Sequence, residues 1–283
     1  MPRLLPSFPL LTFDIYGTLI DWETGLLTAL SPLSSRLPST HPLSSPSALG
    51  TAFNAHERRI QARDPKMRYD TVLKEAYVAL ARECGAVPSP SPGETSKKSV
   101  EEMLDEEGEA CASSIGNWPA FPDTVDAMRR LKRAGFRLVP LSNVDRESFG
   151  RTLSGALRGL SEGLGEGEPF FDAVYTAQDI GSYKPDLRNF EYMLDRVEKE
   201  FGVVKDDVLH VAQSLFHDHE PAKRIGLHSV WIARGEGGKS RMGGDVEEYL
   251  GGEEPKVAFG WRFSNLAEFA DAIEKEKAAQ EAK

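Results

Sequence analysis

The stretch Leu10-Leu11-Thr12-Phe13-Asp14-Ile15-Tyr16-Gly17-Thr18-Leu19 places a short apolar run, Leu10 to Phe13, directly before a carboxylate, a glycine and a hydroxyl. Such a run suits a parallel strand buried on both faces. Comparable runs follow at Phe136 to Leu141, Phe171 to Tyr175, Val208 to Ala212 and Ser229 to Ala233. Helical patterns alternate with them. Thr124 to Ala134 is preceded by Pro122 and Asp123 and stopped by Gly135, and Leu187 to Phe201 follows Pro185 and is stopped by Gly202. The alternation predicts an α/β fold with a parallel sheet. In an open parallel sheet the ligand sits beyond the carboxyl ends of the strands, so the residues just after each run are the ones to read. They are Asp14, Tyr16, Gly17 and Thr18, then Ser142 and Asn143, then Lys184-Pro185, then Gln213, Ser214 and Asp218.

More than a hundred residues without a strand pattern separate the first run from the second, too many for a simple crossover, so an inserted helical subdomain is expected there. Its clearest helix carries Tyr69, Val72, Leu73, Ala76, Tyr77 and Leu80 on one face and meets Gly85. Ser99 and Glu102 have capping-box spacing at the start of another. Two stretches rich in Ser and Pro, Ser31 to Ser47 and Pro88 to Ser99, read as surface loops. A final helix is expected from about Leu266 to Ile273, with Leu266, Phe269, Ala270 and Ile273 on one face and a fraying charged tail beyond.

The 283 residues are 40% hydrophobic and 28% charged, which excludes collagen, mucin and disordered tails. Thirty-four Lys and Arg against 44 Asp and Glu leave a formal charge of -10, arguing against a general binder of nucleic acid or anionic membrane. Any anionic substrate must then find a local positive pocket. Cys84 and Cys111 sit in no metal-ligand spacing and form no disulfide framework, so they read as buried thiols in a reducing compartment. No segment reaches the roughly 18 to 20 apolar residues of a membrane span. The apolar start, Met1 to Leu11, is broken by Pro2, Pro6 and Pro9 and lacks a cleavage pattern. The expectation is a cytoplasmic protein.

With its four rim segments in this order and a helical insert after the first, the chain resembles the haloacid dehalogenase superfamily. Phe13 to Leu19 resembles the first motif, Leu141-Ser142-Asn143 the second, Tyr183-Lys184-Pro185 the third, and His210 to Asp218 (HVAQSLFHD) the fourth. The resemblance implies a Rossmann-like core formed by residues 1–24 and 116–283, with a helical cap, residues 25–115, inserted between motifs one and two. It also implies an aspartate nucleophile at Asp14. Most members of the superfamily are magnesium-dependent phosphatases, and a minority cleave carbon-halogen bonds. The phosphatases carry a second Asp two residues after the nucleophile, where this chain has Tyr16, and an acidic ligand early in motif four, where it has Ala212-Gln213. Bringing a phosphate dianion to a carboxylate costs about 4 kcal/mol per pair of unit charges at ~4 Å and an effective dielectric of ~20, which magnesium normally offsets. A 2-haloacid carries one negative charge away from the reacting carbon, and halide leaves without a proton.

The chain is therefore most similar to the type II, L-2-haloacid dehalogenase group, and the expected reaction is hydrolytic dehalogenation of short 2-haloalkanoic acids without metal or cofactor. Asp14 would attack C2, expel halide and form an ester that water hydrolyses at the Asp14 carbonyl carbon, inverting C2. Lys184 would orient Asp14, and Asp218 would position Lys184 or activate water. Tyr16, Thr18, Ser142, Asn143, Ser214 and His217 are the expected substrate-binding residues. The group's halide-binding cap arginine falls near Asn54, although Arg58, Arg59 and Arg63 lie on the same predicted helix. The group's tyrosine after the lysine is Phe190, and its motif-four Asn is Leu215. His217-Asp218-His219 suggests a metal site, but flanking histidines cannot both face one ion with Asp218 between them. Trp22 and Trp118, near the expected cap junctions, suit hinge packing or pocket closure. The expected partner is a small carboxylate substrate, and the resemblance implies a homodimer. The alternatives are a magnesium-dependent small-molecule phosphatase and a non-catalytic binding module.

Overall fold

A computed structural model of the chain describes residues 3–89, 98–165, 167–235 and 246–282. Six parallel strands form one sheet: β1 (Leu10–Phe13), β2 (Arg137–Ser142), β3 (Tyr175–Thr176), β4 (Val208–Ala212), β5 (His228–Ile232) and β6 (Trp261–Phe263), in the order β3-β2-β1-β4-β5-β6. After β1 the chain builds outward through β2 and β3, then crosses back to lay β4 on the other side of β1. The reversal leaves a crevice at the carboxyl ends of β1 and β4, where an open sheet of this kind receives ligand. Phe13 is in register with Pro140 on one side and Val211 on the other, so Asp14 leaves the sheet at that crevice.

Five helices fill the segment between β1 and the core helix before β2: α1 (Trp22–Ala29), α2 (Ser31–Arg36), α3 (Pro46–Arg63), α4 (Tyr69–Glu83) and α5 (Val100–Ser113). The face expected on α4 is the buried one, and Gly85 follows with φ 69°, the left-handed conformation that glycine adopts freely. Ser99 and Glu102 make the reciprocal capping box at the start of α5. The segment Ser31 to Ser47 is not all loop. Pro32 sits in the first turn of α2, where its missing N–H costs nothing, and Leu33 is buried, anchoring that turn. Residues 90–97 of the second Ser/Pro stretch, and Met1 and Pro2 of the apolar start, lie outside the described residues.

The remaining helices are α6 (Thr124–Arg133), α7 (Arg146–Ser154), α8 (Ala177–Ile180), α9 (Leu187–Phe201), α10 (Glu220–Ile225), α11 (Val246–Leu250) and α12 (Leu266–Glu281). On α9 Asp186 accepts the Arg188 N–H at the start, Gly202 ends it, and Phe190, Met193 and Val197 pack on the sheet. Burying a side chain of this class is worth about 2–3 kcal/mol. Of the run Phe171 to Tyr175 only Tyr175 is strand, continued by Thr176 beyond the run. Phe170 and Phe171 instead meet edge to face in a loop, with ring centroids 5.1 Å apart, and fill the core beside Phe149. Strand β6 was not expected: three half-exposed or exposed residues leave no periodic trace. Helix α12 runs past Ile273 to Glu281 because Glu276 accepts the Leu5 N–H at 2.8 Å and Lys277 donates to the Ala134 carbonyl at 2.6 Å, tying its last turns to the core. No helix among the described residues is long and apolar enough to cross a membrane. Cys84 and Cys111 are both buried and unpaired with each other.

Candidate active site

Strand β1 delivers Asp14 to the crevice with its N–H on the Val211 carbonyl, and the chain then turns sharply through Gly17 at φ 100°. A side chain at Gly17 would be strained by that φ, and its Cβ would lie 3.2 Å from Gln213 Oε1 and 3.3 Å from Trp22. The turn brings Thr18 back beneath Asp14. Its hydroxyl donates to Asp14 Oδ2 at 2.7 Å and accepts the Gln213 N–H at 2.9 Å. Thr18 thus fixes the nucleophile candidate rather than facing open space.

From the far side of β2 comes Lys184, 2% exposed. Its ammonium uses its three protons on Asp14 Oδ1 (2.8 Å), Asp218 Oδ1 (2.7 Å) and the Leu141 carbonyl (3.0 Å). Asn143 holds the Lys184 backbone from both ends, with Oδ1 accepting its N–H at 2.7 Å and Nδ2 donating to its carbonyl at 3.0 Å. Asp218 arrives on a π-helical turn after β4, Leu215–His219, whose first N–H groups Ser214 caps. Its Oδ1 also meets His210 Nε2 at 2.9 Å, and His210 Nδ1 meets Thr12 Oγ1 at 2.8 Å. An ionised Asp218 only accepts, so Nε2 carries the proton and Nδ1 accepts from Thr12. Asp218 Oδ2 is buried without a protein partner.

Charge in this cluster is shared unequally. Burial pushes the Asp14 carboxyl above the usual carboxylate range, and the Asp218 charge adds to that push while Lys184 opposes it. Burial acts the same way on Asp218, but Lys184 and His210 outweigh it and hold that carboxyl low. Burial works against the Lys184 charge, yet the two carboxylates keep its pKa raised. The group titrates as a unit in which Asp218 is the firm counter-ion and Asp14 the carboxylate with proton affinity to spare.

Asp14, Tyr16, Asn143, Lys184, Gln213, Ser214, His217 and Asp218 form the core side of a narrow cavity of about 40 Å³; Glu57, Arg58, Gln61 and Tyr69, from α3 and α4, form the other side. A wider vestibule of about 280 Å³ adjoins it and shares Arg58, Gln61, Lys184 and His217. Among the residues expected to bind substrate, Tyr16, Asn143, Ser214 and His217 therefore meet the catalytic candidates at one cavity, whereas Thr18 and Ser142 lie outside its lining. The Ser142 hydroxyl is buried without a partner. Tyr16 donates to, or accepts from, Thr152 Oγ1 at 2.8 Å, and burial raises its pKa above the ordinary tyrosine range.

His217 and His219 diverge. His217 lines the cavity with its Nδ1 3.2 Å from Ser214 Oγ, while His219 reaches away to the Ala212 carbonyl and Ser229 hydroxyl, both 3.0 Å. Burial lowers both to about 4. Trp22 and Trp118 are buried at the junction of insert and core, outside the cavity lining. Trp118 stands edge to face on Tyr16 at 5.8 Å and donates to Ser114 Oγ at 2.9 Å. Asn54 is buried one helical turn before Glu57, also outside the lining.

The donors at the rim do not fit magnesium. That ion needs near-octahedral oxygen donors, chiefly carboxylates and water. Here the Lys184 ammonium lies between the two carboxylates, the remaining Asp14 oxygen accepts from Thr18, and the two positions flanking them carry the neutral Tyr16 and Gln213. Among the described residues no three His, Cys, Asp or Glu side chains are grouped to hold a metal ion.

The sequence reading gives no site role to Glu57, Gln61, Tyr69 or His210, although it places Tyr69 on a helix face and His210 at the head of the fourth motif. His210 left a signal, a lone imidazole inside the apolar run Leu209-His210-Val211. Glu57 left a weaker one, an acid between Phe53 and Ile60 on the buried face of α3.

Comparison with known proteins places the fold and the family. Curated relatives include a glyceraldehyde 3-phosphate phosphatase of Methanocaldococcus jannaschii, 28% identical over 41% of this chain and 45% of its own length, and an (S)-2-haloacid dehalogenase of Pseudomonas putida, 29% identical over 41% and 45%. The chain thus spans less than half the length of the curated relatives it matches. Among solved structures, the L-2-haloacid dehalogenase of Xanthobacter autotrophicus with chloropropionic acid covalently bound superposes with a TM-score of 0.63 at 18% identity, over 94% of this chain and 98% of that one. A defluorinating L-2-haloacid dehalogenase reaches 0.66 at 19% identity, over 97% and 100%. These likenesses show the fold. A family model described as haloacid dehalogenase-like hydrolase matches residues 8–226, and the chain belongs to that family.

Proposed function

We propose that this hydrolase forms an aspartyl ester on Asp14 and dehalogenates short 2-haloalkanoic acids. The observation that carries the reading is the nucleophile's surroundings: a carboxylate held by Lys184 and Thr18, in a narrow cavity whose donors do not fit magnesium. Asp14 attacks C2 through an oxygen already oriented by hydrogen bonds, so little reorganisation opposes the approach. Halide leaves with the bonding electron pair. Water then attacks the Asp14 carbonyl carbon and passes one proton to Asp218 Oδ2, the buried oxygen without a protein partner. The bond from that carbon to the ester oxygen breaks, the departing alkoxide takes the proton back from Asp218 to leave as the 2-hydroxy acid, and Asp14 is regenerated as the other water-derived proton goes to solvent. The insert, residues 25–115, acts as a cap that closes the rim, and its Arg58, which makes no ion pair among the described residues, attracts the substrate carboxylate at the vestibule. The cavity of about 40 Å³ limits the substrate to a few heavy atoms.

Halide release from 2-chloropropionate, chloroacetate or fluoroacetate that survives EDTA and disappears in Asp14→Ala is the expected result. A mass increase on Asp14 after trapping with a haloacid would identify nucleophile and substrate together. No release from any short haloacid would refute the substrate. The relationship to a phosphatase supports one other reading, a magnesium-dependent hydrolase of small phosphate esters. Hydrolysis of p-nitrophenyl phosphate that EDTA abolishes would favour it.

A further inference from the structure

Glu57 is a buried carboxyl, 6% exposed, that lines the reaction cavity and forms no ion pair among the described residues. Its Oε1 accepts from Gln61 Nε2 at 3.1 Å, and the Tyr69 hydroxyl is its other partner. Neither the attack of Asp14 nor the hydrolysis of its ester uses Glu57. A buried carboxylate that makes no close ion pair, in a cavity that already holds Asp14 and Asp218, is costly when charged, and the Arg58 charge offsets only part of that cost.

Its place on the wall suggests its use. In-line displacement sends the leaving group to the side of the carbon opposite the nucleophile. With Asp14 projecting from the strand ends, that side is the wall formed by Glu57, Arg58, Gln61 and Tyr69. Resting on the aspartyl-ester reading, we propose that Glu57 in its protonated form is the hydrogen-bond donor to the departing halide. The Asp14 oxygen bonds to C2, the carbon-halogen electron pair leaves with the halogen, and the resulting halide accepts a hydrogen bond from the Glu57 carboxyl. The proton stays on Glu57 when the halide diffuses out through the vestibule, so the residue needs no recharging. Fluoride benefits most, being the strongest acceptor and the poorest leaving group of the halides.

The titration of Glu57 agrees with this role, since burial pushes it up to about 7. The groups facing it are Arg58 on its own helix, Tyr69 on α4, Asp14 and Tyr16 after β1, Tyr183 and Lys184 before α9, and His217 and Asp218 after β4. The three tyrosines and Lys184 are raised, His217 and Asp218 are lowered, and Asp14, also raised, must be ionised to attack and so sets an acidic limb; a basic limb near neutrality is therefore expected from Glu57.

The test is kcat/KM for fluoroacetate and chloroacetate from pH 5.5 to 9 in the full chain and in Glu57→Gln and Glu57→Leu. Glu57→Gln keeps shape and a donor, and is expected to lose the basic limb. Glu57→Leu is expected to lower the ratio of fluoride to chloride release about 10- to 100-fold, the worth of one hydrogen bond to a charged group. An unchanged basic limb in Glu57→Gln, or an unchanged ratio in Glu57→Leu, overturns the role of Glu57 while leaving the Asp14 ester intact. Failure of every haloacid to release halide or add mass to Asp14 overturns both.

Discussion

Replacing Glu57 by Gln should make the protein more stable at pH 8 and leave it nearly unchanged at pH 5. The folded carboxyl is raised from its ordinary 4.5 to about 7, with burial as the largest cause. Between those values the folded chain keeps a proton that the unfolded chain has released. Stability therefore falls as pH rises, by about 1.4 kcal/mol per pH unit, and levels off above the folded value. Across roughly 2.5 units the loss is about 3 kcal/mol at pH 8. A glutamine carries no charge to desolvate and still accepts from Gln61, so it removes that loss. For a chain of this size, 3 kcal/mol corresponds to roughly 6–12 °C in Tm. Thermal melts of both proteins at half-unit steps from pH 4.5 to 8.5 read the difference directly. Curves that stay parallel across the range would refute the reasoning, since they would mean that Glu57 titrates alike in the folded and unfolded chains. A gap that opens toward low pH would have the wrong sign.

Lys184→Met strands two buried carboxylates and should destabilise by about 3–5 kcal/mol in urea unfolding at pH 8, with loss of activity; the deficit should shrink at pH 5 as a carboxyl protonates. Under the proposed mechanism Asp14 must be ionised, and its pKa is raised, so kcat/KM should fall on acidification at a pH above the ordinary aspartate value; full activity down to pH 3.8 would contradict it. Gly25→Ala puts a Cβ 2.2 Å from Trp118 Cγ, and overpacking of this kind should cost about 1–3 kcal/mol, read as a lower Tm with altered tryptophan fluorescence. Tyr16→Phe loses only the bond to Thr152, so about 1 kcal/mol of stability should go while halide release persists.

The apolar runs of four and five residues at Leu10–Phe13 and Val208–Ala212 were legible because a strand buried on both faces needs little but local hydrophobicity. Helix α9 was legible from start to end because its cap, its glycine stop and its apolar period all lie within the segment. The rim residues followed from them, since parallel strands carry their functional side chains just past their ends. Run and strand parted company at Phe171, which with its neighbour Phe170 is apolar for packing in a loop rather than for pairing in the sheet.

What the chain dictates by local pattern, then, is the parallel sheet, the helical insert and the carboxylate, lysine and second carboxylate on one rim. What only the tertiary structure decides is which side chains face one another. Thr18 turns beneath Asp14 because of a glycine turn, His210 reaches Asp218 through a strand interior, and Glu57 enters the cavity because α3 lies over the rim with that face inward. The physical reason is distance along the chain. Lys184 is 170 residues from Asp14, and Glu57 lies in the insert, far along the chain from Asp218, so their meeting depends on how the insert packs on the core, which no local periodicity encodes.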